Sequence, residues 1–278
     1  MTSKNHHAQH ETALRLLAAI CLAFFLIAIG QFSLNGGDAR AQLSYIKLAK
    51  FSASLAIYAL TMLWLLKQLT SAGPILVWAS IAACLGGVME LSTLLTQALV
   101  PGWQSAALLA ISRLAILPPT FLIVVAFKRL LNEIIPLALR RALLWATGLA
   151  ILGCLPGAVM LIEISQHQSS SALDSFFGLK LAHFIGLHTL QLMPMTYFLV
   201  SKQSANINSQ IKVIDSIGLS LLTLIAALTI SSTTENTQVI TTAILTLCAV
   251  FVAARQGRRA WQSNTAPGAS IIFSKSKL

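Results

Sequence analysis

The chain has 278 residues, of which 56% are hydrophobic and only 10% are charged, and its mean hydropathy is +0.78. Soluble domains carry about a quarter charged residues, so this composition excludes a soluble globular enzyme, a disordered protein and a disulfide-rich secreted module. Nineteen Lys and Arg against eight Asp and Glu give a net charge of +11. These basic residues lie between apolar runs and are not interleaved with aromatic residues, so we expect no nucleic-acid partner. The composition predicts an all-α fold, a polytopic transmembrane helical bundle in contact with the lipid bilayer.

Eight apolar stretches are long enough, or nearly so, to cross the hydrocarbon core, which takes about 20 residues in a helix. We therefore expect about eight spans in a single transmembrane domain at residues 16–254. A cytoplasmic tail at residues 1–15 precedes this domain and a basic cytoplasmic tail at residues 255–278 follows it. The predicted spans are Leu16–Phe32, Leu48–Leu66, Ile75–Val100, Ser105–Phe127, Ala142–Ile164, Phe176–Val200, Val213–Ser231 and Thr237–Ala254.

The positions of Lys and Arg predict the orientation. They occupy the connections after spans four and six and the tail after span eight, whereas the connections after spans three, five and seven contain none. The positive-inside rule then places both termini in the cytoplasm. Arg40, Lys47 and Lys50, in the outer connection after span one, are an exception. We interpret Ala41–Lys50 as an amphipathic segment on the outer interface.

Two motifs in the first 41 residues, and the four cysteines of the chain, each allow a functional and a purely structural interpretation. Ala39-Arg40-Ala41 resembles a signal-peptide cleavage site, but the apolar run before it is long and ends well upstream, which favours a retained first span. His6, His7 and His10 resemble a metal-binding tract, and a short solvated tail is the preferred interpretation. The four cysteines all lie in apolar runs and form no CxxC pair, so we expect them to behave as small hydrophobic residues.

Ionisable residues inside a span are expensive and indicate a partner, a cavity or a pathway. Glu90 in span three, Arg113 in span four and His183 in span six all lie roughly 10–15 Å below the outer end of their spans, at 1.5 Å per residue. Glu90 and Arg113 are expected to lie close together, either as a structural ion pair or within a ligand or proton site. The predicted ligand-binding residues are Glu90, Arg113, Lys180, His183, His188 and Gln191.

The polar residues of span six share one face of the helix. Lys180, His183, His188, Gln191 and Pro194 fall within an arc of about 140° on a helical wheel. His183 and His188 are themselves about 140° apart, and no third His or Cys lies at their depth, which argues against a metal or haem site. We therefore expect no metal, while the identity of any cofactor stays open.

Two spans contain helix-breaking residues. Pro118-Pro119 is predicted to interrupt span four, and the stretch Gly153–Gly157 is predicted to interrupt span five. Proline removes a backbone donor and leaves a carbonyl free, which is tolerated where a protein cavity satisfies it. Glycine and proline are also generally common in membrane helices, so the pattern alone does not decide whether these breaks line a cavity.

Span six carries a longer motif, Lys180-Leu-Ala-His183-Phe-Ile-Gly-Leu-His188-Thr-Leu-Gln191-Leu-Met-Pro194. This stretch resembles the pattern (R/K)xxHFxGLHxLQxxP of an uncharacterised family of bacterial polytopic membrane proteins, which also has a Glu in an earlier span, here Glu90. Those relatives carry a Ser-His-Phe-Asn stretch after that earlier span, where this chain has Gly102–Ala106. The resemblance implies a site near the outer face without naming its chemistry.

These features leave several functions open. The first is a non-enzymatic protein for transport, sensing or assembly that binds a small anionic or quinone-like ligand from the periplasmic side. The second is an integral membrane enzyme in which His183 or Glu90 acts as acid or base on a lipid-soluble substrate. The sequence contains no HExxH, GxSxG or paired aspartates, and no base is assigned to Ser112, which favours the first. A third is a subunit whose polar face contacts another membrane protein.

Overall fold

The computed structural model describes residues 3–34, 39–70, 73–100, 106–166, 177–204 and 206–233. Within these ranges every regular element is an α-helix, which agrees with the predicted all-α fold. The helices are numbered here in chain order. They are α1 Ser3–Leu34, α2 Ala39–Leu66, α3 Pro74–Leu99, α4 Ala106–Ala115, α5 Leu117–Leu130, α6 Leu137–Gln166, α7 Phe177–Gln203 and α8 Ile207–Thr233.

Six segments of the described chain are long and apolar enough to cross a membrane, so the protein is a multi-pass helical membrane protein. α7 is not among them: its 27 residues would reach about 40 Å at 1.5 Å each, but its polar residues lower its hydropathy. The predicted span Thr237–Ala254 and the basic tail lie outside the described residues. The six segments are Ala8–Leu34, Gln42–Leu66, Pro74–Leu99, Ala110–Leu130, Leu137–Met160 and Ile207–Ile230.

Two predictions near the N-terminus are wrong. The segment Ala41–Lys50 is part of one continuous helix, α2, and not a separate interfacial segment. No Gly or Pro interrupts α2, and Tyr45 and Leu48 are buried in its first turns, so nothing ends the helix there. α1 begins at Ser3 and His10 is fully buried within it, so the interpretation of His10 as part of a solvated tail is also wrong.

Proline has different effects in two helices. Span four divides at Ile116 into α4 and α5, as predicted, because Pro118 and Pro119 cannot donate backbone hydrogen bonds to the preceding turn. The predicted interruption of span five is wrong, since α6 continues through Pro156 from Leu137 to Gln166. A membrane helix tolerates an internal proline where its neighbours compensate.

The helices pack around two main hydrophobic cores. α1, α2 and α3 contact one another, α6, α7 and α8 do likewise, and α5 packs against both α3 and α6. The larger core runs through both groups, from Leu14 and Leu66 to Leu139 and Leu228. The smaller core belongs to α1–α3 alone and includes Leu17, Cys21, Leu48, Cys84 and Leu91.

Polar contacts join the helix ends that carry most of the basic residues. Lys67 Nζ at the end of α2 lies 3.7 Å from Glu11 Oε2 near the start of α1. The backbone N–H of Thr70 donates to Oε1 of Glu133, which ties the connection after α2 to the connection after α5. Since neighbouring connections meet here, one end of the bundle gathers basic residues from α1, α2, α5, α6, α7 and α8.

Candidate functional site

His183 is held against α6 by a glycine pair. Its Nδ1 lies 2.8 Å from the carbonyl oxygen of Gly153. A Cβ on Gly157 would lie 2.7 Å from this Nδ1 and 2.9 Å from Cε1 of the same ring, so the imidazole occupies space that only glycine leaves free. Because a carbonyl only accepts, Nδ1 carries the proton, and Nε2 of a neutral ring stays available as an acceptor.

Close contact between the backbones of α6 and α7 makes this geometry possible. A Cβ on Gly153 would lie 2.6 Å from Cα of Gly186. Three residues further along α7, the Thr189 hydroxyl is 2.9 Å from the carbonyl of Ala146 on α6 and 2.6 Å from the carbonyl of Gly186 in its own helix. The stretch Gly153–Gly157 is therefore a GxxxG packing motif rather than a break.

Gln191 faces α2 instead of α6. Its Nε2 lies 3.1 Å from Oγ1 of Thr61. The Thr61 hydroxyl, 2.7 Å from the carbonyl of Ile57, donates its one proton there, so it can only accept from Gln191, which fixes the orientation of the amide. Oε1 of Gln191 is then left buried and accepts no hydrogen bond from any described residue.

The other two polar residues of α7 lie apart from these contacts. The rings of His188 and Phe184 are in contact, with centroids 4.1 Å apart and an interplanar angle of 57°. Lys180 is exposed near the start of the helix. The polar face predicted for span six therefore divides among different neighbours, with His183 on α6, Gln191 on α2 and His188 beside Phe184 of its own helix.

Glu90 contacts Ser112, the residue next to its predicted partner Arg113. The hydroxyl of Ser112 on α4 donates to Oε2 of Glu90 at 2.6 Å, and Lys47 of α2 acts on this carboxylate electrostatically. Ion pairs among the described side chains join Arg15 and Lys67 to Glu11 and Arg141 to Asp215, and none joins Glu90 to Arg113. The expected contact between spans three and four is present, but the expected ion pair is wrong, because Arg113 is turned about 100° from Ser112 around the helix.

The break between α4 and α5 is covered by polar and small groups. The carbonyl of Ala115, four residues before Pro119, has no donor within its helix, and it lies where a Cβ on Gly86 would be 2.5 Å away. Tyr58 of α2 donates its hydroxyl proton to the carbonyl of Pro119 at 2.7 Å. These contacts join α2, α3 and α5 at the break.

One further polar contact continues from this break to α6. Oγ1 of Thr120 lies 3.7 Å from Sγ of Cys154, next in sequence to the carbonyl that holds His183. The sequence alone did not indicate Thr61 or Tyr58 as part of the site, and it indicated Gly157 only as part of a predicted break. The GxxxG spacing could have indicated Gly157, and Ser112 could have been found because it shares the depth of Glu90.

The described residues include no group of three or more His, Cys, Asp or Glu side chains that could hold a metal ion. Comparison with protein-family models finds no match for this chain, and comparisons with curated proteins and with solved structures find none either. The site is therefore interpreted from its own geometry.

Proposed function

We propose that this membrane protein binds a small lipid-soluble ligand with hydroxyl donors, of the quinol type, where α2 meets α7, in transport, sensing or assembly. The observation that carries the proposal is the buried acceptor Oε1 of Gln191, which has no donor among the described residues. Leaving a buried acceptor unmatched costs about 1–3 kcal/mol. A ligand hydroxyl that donates to this atom would recover that cost.

The surroundings of Gln191 support an aromatic ligand. The rings of His188 and Phe184 are in tilted contact about one and two turns away on α7. Trp64, one turn from Thr61 on α2, lies 5.5 Å from Phe198 between ring centroids. A quinol has both the flat ring and the hydroxyl donors that suit this set.

A binding experiment with a short-chain ubiquinol analogue tests this proposal. We expect the reduced analogue to raise the Tm of the detergent-purified protein and to quench Trp64 fluorescence, with a Trp64→Phe variant identifying the signal. Gln191→Leu should lose the Tm shift, whereas Gln203→Leu, exposed at the end of the same helix, should keep it. The oxidised analogue, which lacks hydroxyl donors, should bind more weakly. An equal Tm shift in wild type and Gln191→Leu would disprove the role of this acceptor.

We further propose that the chain belongs to the bacterial family with the (R/K)xxHFxGLHxLQxxP motif and lies in the inner membrane with about eight spans and both termini cytoplasmic. The basic residues at one end of the bundle support this orientation. Reporter fusions at Asn132 and Gln203 should indicate the cytoplasm and a fusion at Ser170 the periplasm. A cytoplasmic signal from Ser170 would reverse the orientation.

A second candidate function is a membrane enzyme, and the hydrogen bond from Ser112 to Glu90 favours it. The carboxylate that accepts the serine proton is placed as a base for a nucleophile. In an acyl transfer, Oγ of Ser112 would bond to the ester carbon, Glu90 would take the hydroxyl proton and return it to the departing alcohol, and water would later release the acid.

Covalent labelling distinguishes the two functions. A fluorophosphonate probe should label Ser112 if Glu90 activates it, with loss of labelling in Ser112→Ala and in Glu90→Gln. Ser92→Ala, two residues after Glu90 on the exposed side of α3, is the matched control. If the probe does not label the folded wild-type protein, the contact between Ser112 and Glu90 has a packing role only.

A further inference from the structure

An apolar groove lies between α1 and α2, and no residue of α7 lines it. Its volume is about 270 Å³, and α1 contributes Phe25, Ala28 and Phe32 to its lining. Opposite them, α2 contributes Ala49 and Ala53, whose small side chains leave the space open. The groove lies near the end of α1 at Leu34 and the start of α2 at Ala39, which is the predicted outer side of the membrane.

One basic residue contributes its aliphatic atoms to this apolar groove. Lys50 is exposed and contributes to the lining, and it has no carboxylate partner within the described part of the chain. Lys67, just after the other end of α2, pairs instead with Glu11. No ion pair among the described residues therefore balances the charge of Lys50.

We propose that the groove holds an acyl chain of an anionic phospholipid of the outer leaflet and that Lys50 binds its phosphate. A small aqueous anion would gain nothing from apolar walls, and a neutral lipid would leave Lys50 unmatched. The long aliphatic stem of lysine lets the ammonium reach the headgroup level from within the helix. The site also explains why basic residues lie in the outer connection, against the positive-inside rule.

Lipid titration by native mass spectrometry of the full-length protein in detergent tests this proposal. Phosphatidylglycerol and phosphatidylcholine with the same acyl chains are compared, so that only the headgroup charge differs. We expect phosphatidylglycerol to bind about fivefold more tightly, which is what one lysine near an anionic surface contributes. Lys50→Gln should remove this preference and keep the weaker binding of both lipids, whereas the control Lys67→Gln should retain the preference.

A second variant tests the groove itself. Ala53→Phe, or Ala53→Leu if the larger residue lowers the Tm, should fill the groove and weaken both lipids. A headgroup preference that survives Lys50→Gln, or phosphatidylglycerol binding unchanged by a filled groove, would overturn the proposal. So would a wild-type dimer that Ala53→Leu converts to a monomer, because a second copy of the chain would then cover the groove. None of these outcomes depends on ligand binding at Gln191.

Discussion

The α1–α3 group and the α6–α7 pair both bury a glycine, but against different atoms. A Cβ on Gly87 of α3 would lie 2.8 Å from Cδ2 of Leu55 and 2.9 Å from Cδ1 of Leu17, which are the ends of flexible side chains. A Cβ on Gly153 of α6 would lie 2.6 Å and 3.1 Å from two backbone atoms of Gly186. The first group is held by interleaved side chains, and the second by direct contact of two backbones.

This difference has consequences for polar groups. Where the backbones touch, side chains of one helix reach carbonyl groups of the other, as His183 and Thr189 do. Where side chains separate the helices, small residues facing a neighbour leave a groove, as between α1 and α2. Backbone contact thus produces a rigid, hydrogen-bonded interface, and side-chain contact produces one that can adapt to lipid.

Adding one methyl group to each glycine gives the largest expected contrast. Gly153→Ala should lower the free energy of unfolding by about 3 kcal/mol, because the backbone of Gly186 cannot move aside, and Gly87→Ala by about 1 kcal/mol, because leucine rotamers can adjust. Reversible unfolding in mixed detergent measures both. In the control Gly148→Ala, the new Cβ would lie 3.6 Å from Phe127, so no loss is expected. Equal losses at Gly153 and Gly87 would refute the distinction.

The side-chain contact between α3 and α4 should show energetic coupling. Ser112→Ala leaves a half-buried oxygen of Glu90 without its donor. Because hydrogen bonds to charged groups contribute more than neutral ones, we expect the free energy of unfolding to fall by about 2 kcal/mol. In a Glu90→Gln background the same substitution should cost measurably less, which a double-mutant cycle detects. Arg113→Leu combined with Glu90→Gln should instead be additive, since no ion pair joins them. Strong coupling of Glu90 to Arg113 would contradict the observed contact.

Hydrogen bonding across the α6–α7 contact should contribute less. Thr189→Val keeps the shape of the side chain and removes the donor to Ala146, and hydrogen bonds between membrane helices average about 0.6 kcal/mol. We therefore expect the free energy of unfolding to fall by up to about 1 kcal/mol in the same assay. Thr223→Val is the control, because Thr223 bonds only to Leu219 in its own helix. A comparable loss at Thr223 would show that the effect is not specific to the α6–α7 contact.

The ion pair between α6 and α8 should give the smallest effect. Arg141 Nη2 lies 3.4 Å from Oδ2 of Asp215, and both side chains are partly exposed. Asp215→Asn removes the charge but keeps an acceptor for the indole N–H of Trp145, now 2.8 Å from Oδ1. We expect the free energy of unfolding to fall by less than about 1 kcal/mol. This loss should shrink further when salt is raised from low to physiological ionic strength. A loss independent of salt would indicate that charge is not its cause.

Local physical properties of the sequence determined much of the fold. Apolar runs of sufficient length predict the helices, because an unpaired backbone cannot remain in hydrocarbon. The missing N–H groups of Pro118 and Pro119 predict the break at Ile116. The depth of Glu90, Ser112 and His183 follows from counting residues along a helix of known rise. Each of these depends only on neighbours in the chain.

The tertiary structure alone decided which groups meet. Ser112 and Arg113 have nearly the same depth but point about 100° apart, so the rotation of α4 selects Ser112 as the partner of Glu90. Gly153 and Gly157 became a packing surface rather than a break because Gly186 and His183 of α7 face them. Oε1 of Gln191 is left without a donor because the Thr61 hydroxyl of α2 donates its one proton to the carbonyl of Ile57. Rotation and partner choice depend on packing between distant segments, and a helical pattern specifies neither of them.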